Sequence, residues 1–418
     1  MLLRFEVANH RSLMEPVELS MIAVDDDRTA TRGFDRIPER VLTVAAIYGP
    51  NASGTSNVLE ALGWLAAAVD QSLRQWQDYI PREPFRFGEG SDTASVFDID
   101  MIVDGVRYSY NLEVDDATVI FEGLYSYPER RRRVLFERDE TDLTLRRGLS
   151  SLSGTRELLT PTTLALSAAL RFDEPEVGAF GRALSRVGMV NFRQRSHGVR
   201  SVSPSRRLPS THTLFVEPEV DIGAGIDERG IALGMLRLAD LGIDDVAIVR
   251  DDAGLPSGYR GHQIQLVHRA ADQRLPFDIQ DESAGTRRWF GLIGPVLSAL
   301  RTGQILLFDE IDASLHPRLS AHLLTLFQDP ETNPRGAQLI FMTHDTSLLG
   351  HLNRDEVWLT EKGADGATRL TALAEYGGDK VRRSTNLERA YLQGRFGALP
   401  QVDEVGLRQA LGLAAGGN

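Results

Sequence analysis

The sequence predicts an α/β fold in which apolar strands lead directly into polar loops and helices. Three apolar runs carry this prediction, at residues 41–48, 304–308 and 339–342. Each run ends in a segment rich in glycine, hydroxyl, acidic or histidine side chains, and apolar periodicity typical of a helix follows the first run. This alternation is typical of strands and helices packed in layers around one core.

The first apolar run leads into a loop with the spacing of a phosphate-binding P-loop. Backbone N–H groups and a helix N-terminus can hold a triphosphate there, and a hydroxyl can bind Mg²⁺. An ordinary glycine- and serine-rich turn has a similar composition. The predicted nucleotide-binding residues are Gly49, Pro50, Asn51, Ala52, Ser53, Gly54, Thr55, Ser56 and Asn57, with Ser56 also a metal ligand.

Position 55 departs from the P-loop pattern. Thr55 stands where the motif has a lysine, so the mobile positive charge that contacts the γ-phosphate is missing. Nucleotide binding keeps its backbone donors and its Mg²⁺ ligand. We therefore expect ATP binding with weakened hydrolysis.

The second apolar run ends in two adjacent carboxylates, Asp309 and Glu310, as a Walker B motif does. Asp309 would bind Mg²⁺, and Glu310 would orient or deprotonate the attacking water. The alternative is a buried strand followed by two surface acids.

A third motif lies about twenty residues before Asp309 and heads an apolar helix. It resembles the signature motif of ABC ATPases, in which a serine, a glycine and a helix N-terminus contact a γ-phosphate. The same residues also suit a helix cap. The predicted signature residues are Ser283, Gly285 and Thr286.

Two further segments follow in the order that ABC ATPases use. Asp312 and Ser314, directly after the acid pair, resemble a D-loop. His344, at the end of the third apolar run, resembles the histidine switch that contacts the γ-phosphate. Together the motifs predict an ABC-type ATPase head, a P-loop NTPase fold, that uses ATP and Mg²⁺.

The interval between the P-loop and the acid pair contains no sustained heptads, which excludes the long coiled coil of chromosome-maintenance ATPases. We expect a compact insertion there, which includes two strands joined by a turn at Asp104 and Gly105. The predicted divisions are a head lobe at 1–87, a β-rich and helical arm at 88–212, a second head lobe at 213–375, and a C-terminal segment at 376–418. Because a signature motif completes a partner's site, we expect a head-to-tail homodimer or a higher homo-oligomer.

Composition limits the kinds of cross-link, metal site and membrane segment that the chain can contain. The chain has 418 residues, a formal net charge of −13 and no cysteine, which excludes disulfides and thiolate metal sites. No apolar run approaches the length of a membrane span, so a cytoplasmic protein with no membrane segment is expected. The arginine run 130–133 could contact nucleic acid or an acidic partner, or be the solvated end of a hairpin.

Eight stretches carry a closer resemblance, and four of them lie outside the nucleotide motifs. The chain resembles the RloA-type AAA-family ATP-binding proteins of the OLD-related ABC clade, found in bacterial anti-phage and abortive-infection systems. The matching stretches are Gly49–Leu62, Pro84–Phe87, Ala239–Ile243, Glu282–Arg288, Phe308–Pro317, Gln338–Asp345, Arg354–Trp358 and Tyr391–Pro400.

The resemblance implies an ATPase that senses or scaffolds while a separate effector, often a TOPRIM-type nuclease, damages the target. Residues after His344 show no acidic cluster that could bind paired metals, so the nuclease would be another polypeptide. A RecF-like DNA repair or recombination ATPase is the alternative, since it shares the head and has a comparable compact arm. A transporter subunit accounts less well for the arm and the C-terminal segment.

Overall fold

The computed structural model describes residues 1–25, 30–35, 37–192, 208–216, 227–239, 242–251, 261–313, 315–376 and 386–398, without side chains at 250, 251, 261 and 262. The strands are β1 (Leu2–Ala8), β2 (Val17–Ser20), β3 (Thr31–Phe34), β4 (Ile37–Leu42), β5 (Val44–Tyr48), β6 (Ser95–Val103), β7 (Val106–Val114), β8 (Val119–Tyr127), β9 (Arg133–Asp139), β10 (Asp142–Leu145), β11 (Gly188–Val190), β12 (Ile243–Asp251), β13 (Gly261–Ala270), β14 (Gln273–Asp278), β15 (Ile305–Phe308), β16 (Gln338–Met342), β17 (Val357–Lys362) and β18 (Thr368–Ala372). The α-helices are α1 (Thr55–Gln75), α2 (Thr155–Leu158), α3 (Ala165–Ala169), α4 (Pro175–Leu184), α5 (Thr211–Val216), α6 (Glu228–Ala239), α7 (Ala284–Thr302), α8 (Pro317–Gln328) and α9 (Leu387–Leu392).

A six-stranded sheet contains the three apolar runs that the sequence analysis singled out. Its order is β11-β15-β16-β5-β17-β18, and only β18 runs antiparallel to its neighbour. All residues of β5, β15 and β16 are buried, as expected for parallel strands covered on both faces. The predicted first run is split, because β4 ends at Leu42 and β5 begins at Val44.

Helices cover the two faces of this sheet and form two separate cores. Alternate residues such as Ile47 and Leu307 pack with α1, whereas Ala46 and Phe308 pack with α7 and α8. Side chains of a strand point alternately to opposite faces, so α1 and α7 lie on opposite faces of the sheet. The carboxyl ends of β5, β15 and β16 meet at one edge.

A seven-stranded antiparallel sheet, in the order β10-β9-β8-β7-β6-β1-β2, packs on the outside of α1. Strand β1 pairs with β6 from Leu2↔Met101 to Ala8↔Val96. The predicted boundary at 87/88 thus falls between neighbouring strands of one sheet. Likewise, β11 lies inside the predicted arm but pairs in parallel with β15 of the six-stranded sheet. The β-rich part of the arm is therefore continuous with the first head lobe.

Local sequence accounts for the turns and the connection between the sheets. The hairpin β6–β7 turns at Asp104 and Gly105, with φ of 49° and 75°, as predicted from this Asp-Gly pair. The buried Gln338 amide donates to the carbonyls of Leu2 and Leu42, each at 2.9 Å, and so joins β1 to β16. Among the described helices, none combines the length and apolar character needed to cross a bilayer.

Candidate functional site

The P-loop segment connects the carboxyl end of β5 to the N-terminus of α1, as the sequence predicts for a strand-loop-helix unit. Gly54 has φ 96°, a left-handed conformation that favours glycine. A Cβ at Gly49 would lie 2.1 Å from Thr360 Oγ1, so the close packing of β17 also requires glycine there. No side chain caps the first turn of α1, which leaves its backbone donors for an anion.

Ser56 and Asp309 are in direct contact although they are 253 residues apart. Ser56 Oγ donates a hydrogen bond of 2.8 Å to Asp309 Oδ1, and both residues are half-buried. A hydroxyl and a carboxylate side by side at the P-loop are hard oxygen ligands of the kind that Mg²⁺ prefers. The residues present therefore fit the metal that the sequence analysis placed here.

The other P-loop side chains lie in different surroundings. Asn51 and Ala52 are exposed and Pro50 is half-buried, whereas Thr55 is only 5% exposed. The Thr55 side chain is thus largely enclosed by protein. It has neither the length nor the charge of the lysine that the motif would place there.

Three hydroxyl side chains that lie outside the P-loop segment, those of Ser12, Thr360 and Thr368, form hydrogen bonds with it. We call them the hydroxyl clamp. Ser53 Oγ lies 2.6 Å from Thr360 Oγ1, and Thr368 Oγ1 donates to the Ser53 carbonyl at 2.7 Å. Asn57 Nδ2 donates to Ser12 Oγ at 2.6 Å. The side chains of Ser53 and Asn57 are therefore engaged in supporting the loop.

Glu310 follows Asp309 at the edge of the sheet and is half-buried. Its φ of 53° is uncommon for a non-glycine residue, so the chain turns sharply where the carboxylate is presented. The turn is held from both sides of β15. Asn191 Nδ2 donates to the Asp309 carbonyl at 2.8 Å, and Ile311 N donates to the Met342 carbonyl at 3.1 Å.

The predicted D-loop and the predicted histidine switch are joined through Asp312. Its Oδ1 accepts a 2.6 Å hydrogen bond from Thr343 Oγ1 and a longer one, 3.4 Å, from the His344 backbone N–H. The His344 side chain is exposed at the same edge of the sheet. Ser314 lies outside the described residues.

The predicted signature segment begins α7. Ser283 Oγ accepts from Thr286 N at 3.1 Å and lies 2.9 Å from Thr286 Oγ1, so within the chain this serine is the helix cap. Ser283 and Ala284 are exposed, Gly285 is half-buried and Thr286 is buried. Arg287 fixes the preceding loop by donating to the Gln280 carbonyl at 2.9 Å.

The C-terminal segment packs against the same edge of the sheet. The Tyr391 ring lies 5.9 Å from the ring of Tyr48, the last residue of β5. Tyr48 in turn donates to the Asp345 carbonyl at 3.2 Å, and burial raises the pKa of this phenol well above its usual value. Tyr391 Oη also donates to the Ala398 carbonyl at 2.9 Å. This segment therefore supports the strand that leads into the P-loop.

The comparisons with known proteins agree with this geometry. The family described as "AAA domain, putative AbiEii toxin, Type IV TA system" matches residues 44–350, which is more than half of the chain. The chain belongs to this AAA-domain family. Its fold is that of an AAA/ABC-type P-loop NTPase, which confirms the predicted fold class. The match includes the P-loop, the signature segment, the acid pair and His344 of this AAA-domain protein.

Two solved structures are also similar to this AAA-domain protein. The SMC head bound to the C-winged helix domain of ScpA is 14% identical, covers 89% of this chain and 97% of its own, and has a TM-score of 0.44. The SMC head domain from Thermotoga maritima is 12% identical, covers 89% of this chain and 98% of its own, and has a TM-score of 0.39. No curated protein matches the chain.

Several residues at the site were missed by sequence reasoning. The hydroxyl clamp and Asn191 carry no motif of their own, because their roles depend on which strands lie beside the P-loop. Ser12 had a weak signal, since it follows Asn9, His10 and Arg11 in a turn at the end of the first strand. Arg288 lies within the matching stretch Glu282–Arg288, but its sequence position alone gave it no role.

Proposed function

We propose that this AAA-domain protein binds and hydrolyses ATP as a subunit of a bacterial anti-phage defence system. The observation that carries the ATPase part is the 2.8 Å contact between Ser56 and Asp309. It brings together a hydroxyl from the P-loop and a carboxylate from the Walker B strand, at the edge where the parallel strands end. This pairing is what a Mg²⁺-nucleotide site requires.

ATP would lie against the N-terminus of α1, with the backbone donors of residues 49–57 around its phosphates. Mg²⁺ would be held by Ser56 Oγ and the Asp309 carboxylate. When bound, Mg²⁺ would neutralise part of the negative charge of the phosphates. The side chains of Ser53 and Asn57 contact the hydroxyl clamp, and their backbone N–H groups donate to the carbonyls of Pro50 at 3.1 Å and Gly54 at 3.0 Å, so these two residues would mainly fix the shape of the loop.

We assign Glu310 to orient the attacking water and His344 to contact the γ-phosphate. Both are presented at the edge of the sheet beside Asp309 and Asp312. Thr55 cannot supply the charge that follows the γ-phosphate into its transition state. We therefore propose that this form binds nucleotide but turns it over slowly.

The signature segment supports a head-to-tail dimer. Ser283 and Ala284 are exposed at the start of α7, and α7 lies on the face of the sheet opposite α1. We propose that Ser283, Gly285 and Thr286 contact the nucleotide of a partner subunit, with the D-loop residues Asp312 and Ser314 between the two sites. A C₂ dimer would then hold two composite sites.

The defence role rests on two arguments. The family's own description names an AbiEii toxin and a type IV toxin–antitoxin system. The stretches that resemble RloA-type, OLD-related proteins support the same role in defence. Among these stretches, Tyr391–Pro400 is the most specific to that group. We propose that a separate effector, a TOPRIM-type nuclease, acts on the target while this chain supplies the ATP-dependent switch.

The ATPase part is tested by Mg²⁺-dependent nucleotide binding. Ser56→Ala and Asp309→Asn should each weaken ATP affinity in Mg²⁺ and leave it unchanged in EDTA, as measured by a fluorescent nucleotide titration. Thr325→Ala, which removes an exposed hydroxyl on α8, is the matched control. Equal losses with and without Mg²⁺ would contradict the assignment of these two residues to the metal.

The defence part needs a cellular test. Cells carrying the gene with its neighbours should survive phage challenge, and protection should be lost with Glu310→Gln or on deletion of the neighbouring gene. Purified chain alone should cleave neither DNA nor RNA. Protection that persists without the neighbour, or cleavage by the purified chain, would contradict the separate effector.

A further inference from the structure

Arg288 lies on α7, five residues after the cap residue Ser283. Its Nε and Nη2 atoms are shielded from solvent and have no hydrogen-bond partner among the described residues. An arginine carries five N–H donors and is normally paired when its head group is buried. Two donors of this half-buried side chain are therefore available to a neighbouring acceptor.

The surroundings of Arg288 point to the carboxylate that would pair with it. The guanidinium carbon lies 5.9 Å from the centre of the Phe308 ring, the residue just before Asp309 and Glu310. Burial lowers the pKa of Arg288, and the charge of Glu310 acts in the opposite direction. Glu310 is thus the acid whose charge acts on this guanidinium, and it follows Phe308 by two residues.

Backbone geometry allows the pair to form. Glu310 is half-buried and takes a left-handed φ of 53°, so its carboxylate is presented at a sharp turn two residues beyond Phe308. Arg288 Nε and Nη2 make no hydrogen bond to Glu310 in this structure, so neither donor is taken up by the carboxylate yet. A charge-assisted hydrogen bond between guanidinium and carboxylate would satisfy both groups.

We propose that Arg288 is a positioning residue for Glu310, pairing with its carboxylate and coupling the signature helix to the hydrolytic acid. The proposal rests on the proposed ATPase function. Arg288 lies about 7.5 Å along the helix from Ser283, at about 1.5 Å per residue. Engagement of the helix N-terminus by the partner's nucleotide would therefore be transmitted to Glu310 of the same chain. Arg288 also brings a positive charge to the acid pair in a chain whose P-loop has no lysine.

A double-mutant cycle on the full chain without nucleotide tests the pair. The unfolding equilibrium constant is measured for the parent, Arg288→Met, Glu310→Gln and the double variant. If the two side chains pair in solution, we expect the double variant to depart from the product of the single effects by at least about fivefold. Arg301→Met, on the same helix and paired with Glu228, is the control and should combine with Glu310→Gln without such coupling.

Turnover gives the second readout. Arg288→Met should lower kcat by at least about tenfold with nucleotide affinity within about twofold of the parent, and Arg288→Lys should restore part of kcat. Arg301→Met should leave both unchanged. If Arg288→Met does not fold, Arg288→Gln, which also removes the charge, replaces it in the cycle.

The outcomes separate this inference from the proposed function. Independent effects of Arg288 and Glu310 in the cycle, or an unchanged kcat in Arg288→Met, overturn the positioning role. If the parent binds ATP but no form hydrolyses it, the proposed hydrolysis fails, and the cycle alone decides whether the pair exists.

Discussion

The P-loop edge of the parallel sheet and the first turn of α7 both carry predicted nucleotide-binding residues, but they differ in what holds them. At the P-loop edge, side chains far apart in sequence contact each other, as Ser56 and Asp309 do at 2.8 Å. At the start of α7, the contacts are local, since Ser283 caps the helix through Thr286, and Ser283 and Ala284 are exposed. One site is assembled within the chain, whereas the other is a helix cap that needs a second surface to become a binding site.

This difference supports the two proposed roles, in which the P-loop edge binds nucleotide within each subunit and the signature turn contacts the nucleotide of a partner. Variants of the first region should change binding or chemistry in each subunit. Variants of the second should change assembly. The following predictions test this contrast, beginning with the largest effect.

Glu310→Gln should abolish the attack on the γ-phosphate while leaving nucleotide binding intact. Loss of a general base typically lowers turnover by about 10²- to 10⁴-fold. Phosphate release and nucleotide affinity are measured side by side, with Asp309→Ala expected to weaken Mg²⁺-dependent binding as well. Parent-like hydrolysis in both variants would show that the acid pair is not the Walker B motif.

Thr55→Lys should raise turnover, because the lysine restores the charge that stabilises the transferring phosphoryl group. By analogy with single electrostatic contacts in other active sites, the gain should be on the order of 10²- to 10³-fold. Thr55→Met, of similar length but uncharged, is the control for the added bulk at this buried position. A Lys variant no faster than the Met variant would mean that position 55 does not limit turnover.

Ser283→Arg should block ATP-dependent association without preventing nucleotide binding by the single subunit. The substitution places a bulky cation at the exposed cap of α7, where the partner's site would have to approach. Light scattering with ATP and Mg²⁺ gives the mass, and Ser185→Arg, another helix-terminal serine, controls for the added charge. An unchanged ATP-dependent mass would count against the head-to-tail interface.

Ser53→Ala should produce the smallest effect. It should lower the stability of the fold and leave Mg²⁺-dependent binding unchanged. The Ser53 hydroxyl lies against Thr360 in the hydroxyl clamp, so its loss should cost about 1 kcal/mol of the free energy of unfolding. Denaturant titration measures this, and Ser56→Ala is the comparison that should change Mg²⁺-dependent binding instead. If Ser53→Ala changed Mg²⁺ affinity as much as Ser56→Ala, the distinction between the two serines would fail.

The local elements could be predicted because each depends on residues near in sequence. Continuous apolar runs predicted β5, β15 and β16, since strands buried on both faces need no polar positions. Asp104 and Gly105 predicted the β6–β7 turn, because both adopt the positive φ that such a hairpin requires. The order of the motifs was enough to predict the ABC-type head.

Only the tertiary structure decided which of these groups meet. The strands of residues 95–145 form one sheet with β1, although the sequence analysis assigned them to a separate arm. The sequence could not predict this pairing, because hydrophobic alternation does not specify a strand's neighbour. The tertiary structure also engaged Ser53 with Thr360, paired Ser56 with Asp309, and placed Arg288 against the ring of Phe308. These contacts join residues far apart along the chain, and their formation depends on sheet order and helix packing. Sequence by itself determined the chemistry available at the site, and the fold determined which side chains can use it.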